Sequence, residues 1–224
     1  MNYTDLVDTI VSEATQVGDT AFAAILPVLI QNAQLRIYRE VRFLSQRGVS
    51  QGATTVNGTR SVSLSAIAVL TINGYTVDPA YPMIVESMNL VVSSARVPFV
   101  RSSLDYVNSV WPEYGTTATP GSVQGYYAMQ DDQTVVMMPT PNGAYPVEVI
   151  GTWRPELMSA TQGTTWLGDN LPDLLLAACM VEAFIQMRDI GGYSDDPKIA
   201  MSWATRYGEA RESAIAEDAA RRAA

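Results

Sequence analysis

The sequence predicts an α+β fold: an antiparallel helical bundle, built from N-terminal helices plus two C-terminal helices, with an inserted β-rich hairpin lobe. Three observations predict it. Apolar residues recur every three or four positions at both ends of the chain. From about residue 50 the period changes to two, and three Asn-Gly pairs follow. Residues 173–190 are apolar nearly all round, the mark of a helix buried by its neighbours. The expected division is an N-terminal helical part at 1–48, a β-rich lobe at 49–156, and a C-terminal helical part at 157–224 that packs on 1–48 as one bundle. The 224 residues can bury a core that needs no disulfide or metal.

Each element has a local warrant. Leu6, Val7, Ile10 and Val11 form a short helical stripe over 3–14, with Thr4 or Asp5 as the expected cap. Phe22, Ile25, Leu26, Leu29, Ile30, Ala33, Ile37, Val41 and Leu44 outline the clearest amphipathic helix. Arg36, Arg39, Glu40 and Arg47 take its polar side, Pro27 its start or a kink, and Gly48 its end. Asn57-Gly58, Asn73-Gly74 and Asn142-Gly143 are each expected to close a hairpin between flanking alternating runs. Met83–Val92 reads as partly strand, and 101–111 as a short helix with Leu104, Val107 and Trp111 on one face. Asp169 or Asn170 is the expected cap, and Pro172 the first turn, of the apolar helix that Gly191-Gly192 stops. Asp195-Asp196-Pro197 opens a last helix to about 222, with Ile199, Trp203, Tyr207, Ala210 and Ala214 along its stripe. Past Ala214 it lacks large apolar residues, so its end is expected to project or to meet a partner.

Composition excludes most chemistry. There is no His and one Cys, so a Ser-His-Asp triad and the common zinc motifs are absent. Gly48-Val49-Ser50-Gln51-Gly52 fits G-x-S-x-G, but with a helix before it and a strand after it the order is reversed, and a connecting loop is expected. Asp131-Asp132 and Asp195-Asp196 are read as turn and cap residues, Cys179 as a buried small hydrophobe, and Glu148 as a strand residue facing out. Glu182 interrupts the apolar helix. An exposed helix edge is the leading reading, and an ion pair with Arg36 or Arg39 the other. No cofactor, nucleotide loop or catalytic constellation is expected, and no secretory signal or membrane-length run is read, the apolar stretch at 173–190 being broken by Glu182. A net charge of −9 argues against tight binding of nucleic acid. A low charged fraction of 17%, with 11 Tyr and 10 Met, suits a chain that hides surface in partners.

Three stretches carry a resemblance. Asn2-Tyr3-Thr4-Asp5-Leu6-Val7, with Phe22 and Ile37-Tyr38-Arg39-Glu40, is similar to the N-terminal helical pair of the head-to-tail adaptors of short-tailed bacteriophages. Trp153-Arg154-Pro155-Glu156-Leu157 resembles that family's exit from its sheet. Thr165-Trp166-Leu167-Gly168-Asp169-Asn170-Leu171-Pro172-Asp173-Leu174-Leu175-Leu176, followed by Val181-Glu182-Ala183, resembles the approach into its central helix. The resemblance implies a non-enzymatic virion protein of the head–tail neck, assembled in the host cytoplasm. It implies a ring of 12 copies that joins the portal protein to tail nozzle or tail fibre proteins and through which DNA passes. Residues expected at partner interfaces are Arg36, Arg39, Trp111, Tyr114, Glu182, Trp203, Tyr207, Arg211, Arg221 and Arg222. The competing readings are another neck or tail-completion subunit, and a module that binds a ligand through Trp111, Tyr114, Tyr126 or Tyr127.

Overall fold

The computed structural model describes residues 1–64, 70–111, 116–190 and 197–223. The helices are α1 (Tyr3–Glu13), α2 (Thr20–Glu40), α3 (Leu104–Val110), α4 (Trp166–Asn170), α5 (Pro172–Ile190) and α6 (Pro197–Ala223). The strands are β1 (Arg47–Thr54), β2 (Ser61–Ser63), β3 (Leu70–Ile72), β4 (Tyr75–Val92), β5 (Ala95–Arg101), β6 (Thr117–Ala118), β7 (Gly125–Met129), β8 (Thr134–Met138), β9 (Thr140–Pro141) and β10 (Pro146–Pro155). The chain divides into two compact units. Unit 1 is Met1–Leu44 with Glu156–Ala224, and unit 2 is Ser45–Pro155.

In unit 1 the helices follow the sequence pattern, while the caps do not. Asn2, rather than Thr4 or Asp5, caps α1, its Oδ1 accepting from the Asp5 N–H at 2.9 Å. Asp19 caps α2 by accepting from Ala21 and Phe22. Thr165 caps α4, while Asn170 turns its amide back to the Trp166 carbonyl. Pro27 lies inside α2, and the helix ends at Glu40 rather than Gly48, so Arg47 belongs to β1. Leu6, Ile10, Leu26, Ile30, Ile37, Leu174, Leu175 and Phe184 meet in one core with Cys179, whose thiol burial holds above its ordinary pKa. Buried Gln34 joins distant segments, donating to the Ile30 and Met158 carbonyls and accepting from the Met158 N–H. Among the described residues α2, not the run broken by Glu182, is long and apolar enough to cross a membrane. Eight of its side chains are buried within the protein. The end of α6 does not project. Asp218 accepts from the Leu44 N–H at 2.6 Å, and Arg222 donates to the Arg42 carbonyl at 2.7 Å. The Gly191-Gly192 stop and the Asp195-Asp196 lead-in lie outside the described residues.

Unit 2 overturns the expected bundle with a hairpin lobe. The fold is mixed α+β, and unit 2 is dominated by a large curled eight-stranded sheet of order β1-β10-β4-β5-β7-β8-β2, with β3 on β4. Of the three Asn-Gly pairs, only Asn73-Gly74 closes a hairpin. Their φ angles of 53° and 84° are the two positive values that a type I′ turn needs between β3 and β4. Asn57-Gly58 connects β1 and β2, which pair with β10 and β8 instead. Asn142-Gly143 precedes β10, whose neighbours are β1 and β4. The reason is burial. β10 hides Val147, Val149 and Trp153 on one face and Glu148 on the other, so it takes a strand on each edge, and a local turn cannot supply both. G-x-S-x-G lies within β1 rather than in a loop, with Ser50 buried. Residues 66–130 include the parallel pair β5–β7, which no turn signal announces.

The β4–β5 turn has no glycine. Ser93 and Ser94 sit at φ 48° and 67°, a left-handed conformation that costs a non-glycine residue about 1 kcal/mol. Ser93→Asn with Ser94→Gly is expected to raise unfolding stability by about 1 kcal/mol, read by urea denaturation.

Candidate partner interface

Three of the predicted interface residues in unit 1, Arg36, Tyr207 and Arg211, converge on Glu40, in the last turn of α2. Its carboxylate accepts from Arg36 Nε at 3.1 Å, Tyr207 Oη at 2.8 Å and Arg211 at 3.0 Å. Arg36 also reaches Glu182 of α5 at 3.3 Å and lies 4.7 Å from the centre of the Tyr207 ring. Glu182 is thus the partner of Arg36, at a partly buried site, and not a bare helix edge. Burial pushes the Glu40 carboxyl up, but the bonds from Arg211, Tyr207 and Arg36 outweigh it and leave its pKa below the ordinary value. In the sequence Glu40 stands on the polar side of the helix among other charged residues. The signal for its role is its i,i+4 spacing from Arg36. Tyr207→Phe removes one bond to this carboxylate and is expected to cost about 1 kcal/mol of stability, read by chemical denaturation.

The remaining basic candidates divide. Arg221 pairs with Glu217, and Arg222 with Asp218. Arg39 is exposed and makes no ion pair among the described residues. Trp203 packs against the unit 1 core with the Arg206 guanidinium 4.8 Å from its ring centre.

In unit 2 the aromatic candidates are packed into the fold. Trp111 and Tyr126 lie against a small core of Val107, Ala128, Val136 and Met138, where α3 covers β7 and β8. Trp111 Nε1 donates to the Thr116 carbonyl at 3.1 Å, and Tyr127 is fully buried. Tyr114 lies outside the described residues. A cavity of about 450 Å³ opens beside α3, where buried Arg60 donates to the Val107 carbonyl and Asn108 Oδ1. Asp131 holds a turn by accepting from the Gln133 and Thr134 N–H groups.

Unit 2 has a polar centre that its sequence pattern does not announce. Glu148 is 1% exposed, not facing out. It lies in register between Gln51 of β1 and Asn89 of β4, and both side-chain amides donate to it. Arg96 of β5 closes over it with a forked pair of bonds at 2.7 and 2.9 Å. The alternation that marks Glu148 as facing away from the Val147/Val149 core is real. What the pattern lacks is the second layer of long polar side chains that covers that face.

Among the described residues no three acidic or thiol groups gather where they could hold a metal ion. The paired charges instead brace packed elements, as in a protein that works by contact. A family model described as SU10 adaptor protein matches residues 1–224. The chain belongs to the SU10 adaptor protein family. The match spans every described element of both units. Membership in the SU10 adaptor family makes the chain a bacteriophage adaptor. Such a protein is a structural rather than catalytic component of the virion, and it interacts with other proteins of the head–tail neck. No curated protein matches this SU10 adaptor family chain.

Proposed function

We propose that this adaptor assembles into a closed ring of 12 copies that joins the head portal to the tail and continues the channel for DNA. The family match over the whole chain carries the reading. Physical chemistry supports it. A head-to-tail ring hides surface on two flanks of every subunit, which suits a chain with few charges and many Tyr and Met residues. A net charge of −9, repeated around a channel, lets DNA slide without sticking. The interface side chains proposed for this role are Arg39 and Trp203 in unit 1, with the Arg36–Glu182–Tyr207–Arg211 network bracing the helices behind them. The partners are other copies, the portal, and nozzle or fibre proteins. Assembly takes place in the host cytoplasm.

Native mass measures this directly, with the protein alone and mixed with portal. The expected result is a species of about 290 kDa, twelve times the 24.3 kDa chain, or co-migration with the portal. A monomer that ignores portals and tails would overturn the proposal. Binding to tails but not to portals would move the protein to tail completion.

A further inference from the structure

Arg39 and Arg42 differ from Arg36, Arg211, Arg221 and Arg222 of unit 1, and from Arg206, which lies over the Trp203 ring. Arg36 and Arg211 share Glu40, Arg221 holds Glu217, and Arg222 holds Asp218. Arg39, in the last turn of α2, and Arg42, two residues beyond it, are exposed and have no carboxylate partner among the described residues. Arg222 donates to the Arg42 carbonyl while Asp218 meets its charge, so the unmatched charge at this corner is that of Arg39 and Arg42.

The N-terminal segment has the opposite character. Residues 1–35 hold Asp5, Asp8, Glu13 and Asp19 and no basic side chain. Asp5 and Asp8 are exposed on the face of α1 that points away from buried Leu6 and Ile10. Within one chain no described ion pair joins α1 to the Arg39/Arg42 corner.

Two copies of a chain carrying −9 repel each other, so self-association needs opposite charges where the copies touch. A heterologous contact brings two different patches of the same chain together, and this chain carries a matched pair of them. Arginine suits the task, because its fork takes a carboxylate by two bonds. We propose that the acidic face of α1 in one copy docks on the Arg39/Arg42 corner of the next copy. The inference rests on the ring reading above and names the surfaces that build it.

Two variants test it, Arg39→Glu/Arg42→Glu and Asp5→Arg/Asp8→Arg. All four positions are exposed, so both proteins keep their fold, and circular dichroism checks this. Native mass is measured at low salt for wild type, for each variant alone, and for their equimolar mixture, on the portal if wild type assembles only there. Wild type is expected to form rings. Each variant alone places like charges at the contact, and its ring fraction is expected to fall at least tenfold. The mixture restores both contacts in an alternating ring, which closes for an even number of copies. Either variant assembling like wild type, or a folded mixture that stays monomeric, overturns the inference and leaves the ring reading in place. If Arg39→Glu/Arg42→Glu keeps its ring but no longer retains DNA or portal, the corner serves that partner and the inference is again overturned. If wild type forms no ring alone or on portal, the ring reading fails and the inference with it.

Discussion

Glu148→Ala lowers the unfolding free energy of unit 2 by about 3 kcal/mol at neutral pH, measured by chemical denaturation. The carboxylate is 1% exposed and lies at the centre of four neighbouring strands, β1, β10, β4 and β5. Removing it leaves the Gln51 and Asn89 amides without their acceptor, while exposed Arg96 turns to water. Gln51 is exposed and can also turn to water, so most of the cost arises from the half-buried Asn89 amide and from the space left where the buried side chain was. The effect depends on pH. Hydrogen bonds from Arg96, acting against burial, hold the Glu148 carboxyl below the ordinary carboxylate range. A folded pKa below the unfolded value means that the stabilisation is complete above the unfolded pKa, about 4.3, and is lost as pH falls through the folded one. The gap between wild type and Glu148→Ala is thus full at pH 7 and narrows below about pH 4. A gap that stays constant down to pH 3 would mean that the carboxylate charge contributes nothing.

Gly151→Ala is expected to destabilise by a similar amount, about 3 kcal/mol. A Cβ at Gly151 would lie 2.2 Å from the Ile84 carbonyl oxygen. The obstacle is backbone, not the end of a flexible side chain, so β4 and β10 must separate where their register already shifts, between Ile150 and Gly151. Gly208→Ala is the control. It lies in α6, and a Cβ there meets nothing within 4 Å. The better helix former is expected to stabilise by about 1 kcal/mol. One substitution with opposite signs at two positions separates close backbone approach from helix propensity. Equal effects would remove the steric account.

The helices were legible because their signal is local. Leu6 and Ile10, or Phe22, Leu26, Leu29 and Ile30, face the core at the spacing of a helix, whatever they pack against. Trp203 and Tyr207 were legible in the same way. The sheet was legible only as strand content. Asn57-Gly58 and Asn142-Gly143 have the chemistry of a hairpin, yet the strands beside them pair with distant strands instead. Ser93-Ser94, which does turn β4 into β5, carries no glycine to announce it. Glu40 and Asp218 look like surface helix residues, and both become acceptors for groups far away in the chain.

The sequence by itself determined the helical segments, the acidic charge, the burial of Cys179, the class of protein and the absence of a His-based active site. Periodicity, composition and charge belong to neighbouring residues, and no tertiary contact is needed to read them. Only the tertiary structure decided the order of the strands, the cover over Glu148, the anchoring of α6 by Asp218 and the lack, among the described residues, of a carboxylate partner for Arg39 and Arg42. Those depend on which remote surfaces meet, and a side chain's exposure and partners are set by that meeting rather than by its position in the local pattern.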